Sequence, residues 1–232
     1  MKLKTQLHQE QSINIPSYLK LSFYQKQLIT KAIYKGLDIS ETKKEPLFTK
    51  KHHRPLEYDQ VNEEIYQAVM EDKQNHHNSK FEIALGKAVS HEYVNLFDTS
   101  RSINIIICRL PLNQNNFDPS LYRGEHAYNN FNRLDEEEIE FESVMNEPFQ
   151  TNLKFEGLSS PFGIIVYYDS INKRVFEGAQ TPSQERWIYL DDISEIDQNV
   201  NIIPFTLPTL GDIDLPLKAF NDEDEEINIP LK

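Results

Sequence analysis

Residues 160–193, SPFGIIVYYDSINKRVFEGAQTPSQERWIYLDDI, decide the fold. Within them, 164–168 is an unbroken β-branched and aromatic run, 174–177 answers it across the polar-centred 169–173, and 187–190 adds a third apolar run after the loop 179–185. Apolar runs of this length, separated by turn residues, predict a three-stranded antiparallel meander. Gly163 and Gly178 punctuate it. Trp187, the only tryptophan, brings a large ring with one N–H donor to anchor a core.

Working outward, residues 103–110, INIIICRL, form another continuous apolar run of strand length, and its uniform apolarity predicts a strand covered on both faces. Cys108 lies inside it, where a small buried hydrophobe is the expected role. Pro111 ends the run. Residues 113–133, rich in Asn and aromatics, read as a long ordered loop or short helix, because Asx side chains make local turns. A further strand is expected at 152–155, and Pro204 and Pro208 limit 202–207 to an edge strand or extended crossing.

The N-terminal half reads as helical. Leu19, Phe23, Leu28, Ile29, Ala32, Ile33 and Leu37 recur at helical spacing after Pro16 and Ser17, with Gly36 placed to end the helix and Lys20, Lys26, Lys31 and Lys35 on its exposed side. Residues 38–55 read as a loop carrying the basic run Lys50, Lys51, His52, His53 and Arg54, a solvated loop or a grip for a phosphate or an acidic surface. Val61, Ile65, Ala68 and Val69 predict a helix over 58–72. Phe81, Leu85, Ala88, Val89, Tyr93 and Leu96 predict another.

At 232 residues with 38% apolar content, the chain fills one large domain or two small ones. No apolar run approaches the ~20 residues of a membrane helix. Residues 1–12 have positive charges without the apolar block of a secretory signal. The lone Cys108 excludes an intrachain disulfide framework and fits a reducing compartment, so a cytoplasmic location is expected. The net charge of −13 is uneven: residues 1–100 hold 14 Lys/Arg against 13 Asp/Glu, and residues 101–232 hold 10 against 24. A surface so poor in clustered cations excludes phosphate-backbone binding through the C-terminal half. It suits a basic protein partner, or serves solubility alone.

No motif specifies a chemistry. There is no GxGxxG, GxxxxGK or GxSxG, and the His91-Glu92 start of an HExxH meets Asn95 where the second histidine belongs. His52/His53 and His76/His77 are adjacent pairs, a spacing unsuited to one metal. The run LDEEEIEFE at 134–142 reads as a hydrated acidic face. In order along the chain, Tyr122-Arg123-Gly124, Ser159-Ser160 and Glu185 resemble in fragments the arginine–serine–glutamate class of ADP-ribosyltransferases. Pro161 stands where that class continues its serine motif, and Gln184 near where it keeps a second acid. The resemblance implies Arg123 holding dinucleotide phosphates, with Ser159 in the motif and Glu185 stabilising an oxocarbenium ion.

These readings converge on an α+β protein: an extended arm at 1–15, a single domain at 16–210, and an acidic extended tail at 211–232. In that domain a helical part, 16–98, packs against a mostly antiparallel sheet part, 100–210, that contains the three-stranded meander. The expected function is non-enzymatic recognition, as an assembly component, inhibitor or immunity-type protein, with ADP-ribosyl transfer as the alternative. Asp135, Glu136, Glu137, Glu138, Asp191, Asp192, Asp222, Glu223, Asp224, Glu225 and Glu226 would face a more basic protein partner, with no cofactor, metal or membrane involved.

Overall fold

The two longest apolar runs of the chain lie side by side at the centre of one sheet. The computed structural model describes residues 14–44, 50–88, 91–110, 120–139 and 160–196, all within one compact unit, Met1–Ile202. A 3-10 turn at Ser17–Leu19 precedes α1 (Phe23–Lys44) and α2 (Lys50–Asn75). Then come β1 (Phe81–Ala88), β2 (His91–Asp98), β3 (Ile103–Arg109), α3 (Leu121–Ala127), α4 (Asn130–Glu136), β4 (Phe162–Asp169), β5 (Arg174–Gln180) and β6 (Trp187–Asp192). The six strands pair in chain order. Every pair is antiparallel except β3 and β4, which run parallel from Ile103 opposite Phe162 to Arg109 opposite Tyr168. A parallel pair needs a crossover, and the connection bearing α3 and α4 supplies it.

Helices α1 and α2 share one core with one face of the sheet. Ile29, Ile33 and Leu37 of α1 and Val61, Ile65 and Val69 of α2 are buried with Ile103, Ile105, Ile107, Ile164, Val166 and Tyr168. On the other face Ile106, Cys108, Ile165, Tyr167 and Phe176 form a second cluster, against which Tyr122 of α3, Trp187 and Leu190 pack. Coverage on both faces is what allows β3 and β4 to be continuously apolar. The molecule is α+β, and the expected meander is β4-β5-β6. The strand expected at 152–155, the run 202–207, residues 1–13 of the arm and the tail 211–232 lie outside the described residues.

The expected helix over Phe81, Leu85 and Leu96 is the hairpin β1–β2, so the helical part ends at Asn75 and the sheet begins at Phe81. The same residues also fit a period of two, with Phe81, Ile83 and Leu85 in one strand and Val94 and Leu96 in the other. Cross-strand partners decide between the periods. Gly86 pairs with Tyr93, and a Cβ at position 86 would lie 2.3 Å from Tyr93 Cζ. In a helix that glycine would cost about 0.5–1 kcal/mol; here it makes room for an aromatic ring.

Gly36 does not end α1, which continues to Lys44. It marks the close approach of the two helices, since a Cβ there would lie 2.7 Å from Val61 Cα. Two other expectations are corrected at the same place. Residues 50–54 open α2 instead of lying in a loop. Of the lysines expected on the exposed side, Lys31 and Lys35 are exposed, Lys35 pairing with Glu64 at 2.7 Å, whereas Lys26 turns to the buried Glu177 at 2.7 Å and Lys20, ahead of α1, is half-buried and pairs with Asp191 at 2.9 Å.

Candidate functional site

The crossover is held to the sheet by side chains that stand in for backbone. Asn130, fully buried at the start of α4, accepts the Gly163 N–H at 2.6 Å and donates to the carbonyls of Gly163 at 3.2 Å and Gln180 at 2.8 Å. The β4–β5 ladder starts at Ile165 opposite Gly178, so this amide bridges the strands just beyond the ladder's end. His126 donates Nε2–H to the Ile164 carbonyl at 2.9 Å, and burial holds its pKa down at about 4. A Cβ on Gly163 would come within 2.2 Å of the His126 carbonyl oxygen. After α4, the Ser160 N–H and hydroxyl both donate to Glu136, at 2.9 and 2.7 Å. Glu137 pairs with Arg133 at 2.9 Å and accepts from the Tyr18 hydroxyl at 2.6 Å.

Helix α3 presents two unlike faces. Inward, Cys108 Sγ lies 2.9 Å from Tyr122 Oη, and the Tyr122 ring packs 5.6 Å from that of Tyr93. Burial pushes the Cys108 thiol up, and the Tyr122 hydroxyl and the Arg123 guanidinium only partly offset it. A buried thiol of this kind is no nucleophile. Outward, Leu121 is 82% exposed and Tyr128 54% exposed. With Gly124 and Glu125 they occupy positions i, i+3, i+4 and i+7, one stripe of a helix.

The loop between β5 and β6 closes the other side of this stripe. Gln184 accepts the Ser120 N–H through Oε1 and donates Nε2–H to the Ser120 carbonyl, both at 3.0 Å. Between helix and loop runs an open groove of about 750 Å³ lined by Ser120, Leu121, Gly124, Glu125, Tyr128, Pro182 and Gln184. In the second core cluster, Tyr167 stacks on Phe176 at 4.7 Å and meets Trp187 at 5.8 Å.

The residues singled out from the sequence fall unevenly around this groove. Arg123 is buried within the helix α3. Glu185 is exposed in the β5–β6 loop, next to Gln184, so the Ser120–Gln184 pair draws their two segments together. Ser159 lies outside the described residues. Asp135 and Glu138 are exposed, whereas Glu136 and Glu137 are committed to Ser160, Arg133 and Tyr18. Asp191 pairs with Lys20, and Asp192 with Arg174 and Ser194. Burial pushes the Asp192 carboxyl up, but the Ser194 and Arg174 donors outweigh it and hold it below the usual range. Asp222, Glu223, Asp224, Glu225 and Glu226 lie outside the described residues. The described acidic residues thus differ in exposure and in their partners.

Sequence reasoning missed Leu121 and Tyr128, and it read Gln184 only against the second acid of the transferase motif. The available signal was the helical spacing of Leu121, Gly124 and Tyr128 within a segment read mainly for its Asn content. Among the described residues, no three His, Cys, Asp or Glu side chains converge to hold a metal, and no described helix is long and apolar enough to cross a membrane. No family model, curated protein or solved structure matches the chain.

Proposed function

We propose that this protein recognises a basic segment of another protein, which seats an apolar side chain in the groove between α3 and the β5–β6 loop. The observation that carries the reading is the pairing of Leu121 and Tyr128, two large apolar side chains left open to solvent, with Glu125 on the same stripe. An exposed apolar patch rimmed by polar groups marks an interaction site. Glu185, Asp135 and Glu138 add negative charge on the loop and on the crossover, which favours Lys- and Arg-bearing partners. The chemistry-bearing groups nearby point inward: Cys108, Tyr122 and His126 are packed under α3 and serve its attachment.

Selection of a displayed random peptide library on the full chain tests this. Enriched peptides should place Lys or Arg beside one aromatic or large aliphatic anchor, bind more weakly at high salt, and lose binding to Leu121→Asp while Glu125→Lys weakens them. Enrichment of acidic peptides, or binding indifferent to both substitutions, would refute the assignment. A second reading, ADP-ribosyl transfer through Arg123, Ser159 and Glu185, draws support from the Ser120–Gln184 pair, which brings the Arg123 and Glu185 segments together. The burial of Arg123 in a helix weighs against it. Release of nicotinamide from the dinucleotide, abolished by Glu185→Gln, would favour transfer over recognition.

A further inference from the structure

The groove beside α3 has a spacing as well as a composition. Leu121 and Tyr128 stand on one helical stripe, and Tyr128, which caps α3, keeps helical backbone angles. At a rise of about 1.5 Å per residue, these two exposed side chains form ridges about 10.5 Å apart along the helix. Between them lies Gly124, which has no side chain, and across the groove stand Pro182 and Gln184. Side chains of a partner that sit on either side of one ridge must repeat at about the ridge spacing. That spacing therefore selects the conformation of the partner.

We propose that the basic segment binds this groove as a polyproline II helix, with its apolar anchor and a proline three positions apart on the same edge. This rests on the recognition proposed above and adds the partner's conformation. A polyproline II helix has three residues per turn and rises about 3.1 Å per residue, so side chains on one edge lie about 9.3 Å apart, close to the ridge spacing. An extended strand repeats every second residue, at about 6.6–6.8 Å or twice that, and falls out of step. A strand would also have to break bonds already made: the Ser120 N–H and carbonyl bond to Gln184, and the Thr181 N–H to the Arg186 carbonyl. An α-helix matches the spacing at every seventh residue. But α3 is a wall of only 7 residues, and an isolated helix needs ~12–15 residues to form in water. The polyproline II helix is populated before binding, and its unpaired carbonyls can accept from the Tyr128 hydroxyl. Proline-rich segments bind grooves walled by aromatic side chains in this way. Glu125, one turn before Tyr128 on the stripe, meets the Lys or Arg.

Calorimetric titration of the full chain with three short synthetic peptides tests this. All three carry the same two arginines and one leucine anchor. The first has a proline three positions before the anchor, the second has that proline moved to two positions before it, and in the third alanines replace proline and favour a helix. The first should bind at least about tenfold more tightly than either of the others. Leu121→Asp and Tyr128→Ala should each weaken it by about tenfold or more, with circular dichroism unchanged because both side chains are exposed. Equal or tighter binding of either control peptide would overturn the polyproline II assignment and leave recognition of a basic segment standing. Failure of all three to bind, or binding indifferent to Leu121→Asp, would overturn both.

Discussion

Lys26 of α1 lies 2.7 Å from Glu177 of β5, a carboxylate with no exposed side-chain surface. Burial pushes the Glu177 carboxyl up, Lys26 pulls it back, and the neighbouring Asp191 pushes it up again. Removing one partner of such a pair leaves a buried charge uncompensated, at a cost of about 3–5 kcal/mol, whereas replacing both with apolar groups is often neutral. Lys26→Met should therefore lower the urea midpoint strongly without changing the slope. Lys26→Met with Glu177→Leu should recover most of the loss. Equal losses in the single and double variants would show that the two side chains do not act as a pair.

Gly36 supplies a second test, because two effects of known sign oppose each other there. Alanine in a helix interior gains about 1 kcal/mol over glycine. The added Cβ would meet the Val61 backbone at 2.7 Å, and a backbone atom cannot swing aside as a flexible side chain can. Overpacking of this kind costs about 1–3 kcal/mol. Gly36→Ala should thus lower the melting temperature, and a rise would mean that α1 and α2 can separate freely at this crossing.

The meander and the central run at Ile103 were legible because a buried strand needs uninterrupted apolar residues and nothing else in the chain imitates that pattern. The hairpin β1–β2 was not, because Phe81, Leu85 and Leu96 satisfy both periods, and what decides between them is the contact of Gly86 with Tyr93 across the turn. Gly36 was misread for a related reason: a glycine that ends a helix and one that admits a second helix look the same in one dimension. The groove escaped notice because its walls, α3 and the β5–β6 loop, are about 60 residues apart in the chain and are joined by Gln184, whose partner is backbone. Lys26 belonged to an apparently solvated row, and only the packing of α1 on β5 turns it inward.

His126 makes stability depend on pH in a defined window. Burial holds its folded pKa at about 4, against an ordinary value of 6.5. Above pH 6.5 it is neutral folded and unfolded, and contributes no pH dependence. Between 6.5 and 4 the unfolded chain binds a proton that the folded chain refuses, so stability falls as pH falls. His126→Gln, which keeps a donor for the Ile164 carbonyl, should flatten the urea midpoint between pH 6.5 and 4. An unchanged slope in that variant would mean that other groups dominate the window.

Asn130 tests whether the crossover depends on one amide. Asn130→Ala strands the Gly163 N–H and the Gly163 and Gln180 carbonyls in a buried place, and an unsatisfied buried group costs about 1–3 kcal/mol. Asn130→Asp keeps the acceptor for the Gly163 N–H but turns a carboxylate toward two carbonyl oxygens. Burial and those oxygens both favour the neutral acid, so the folded pKa of the new carboxyl should rise above its unfolded value. The loss should therefore be largest at neutral pH and shrink as pH falls through that raised pKa, because the protonated acid donates again to one carbonyl. Asn130→Ala should show no such partial recovery. Urea midpoints of the two variants at matched pH, referred to the wild type, separate the outcomes: parallel curves would mean that the lost contact with the strand matters and the direction of the donor does not.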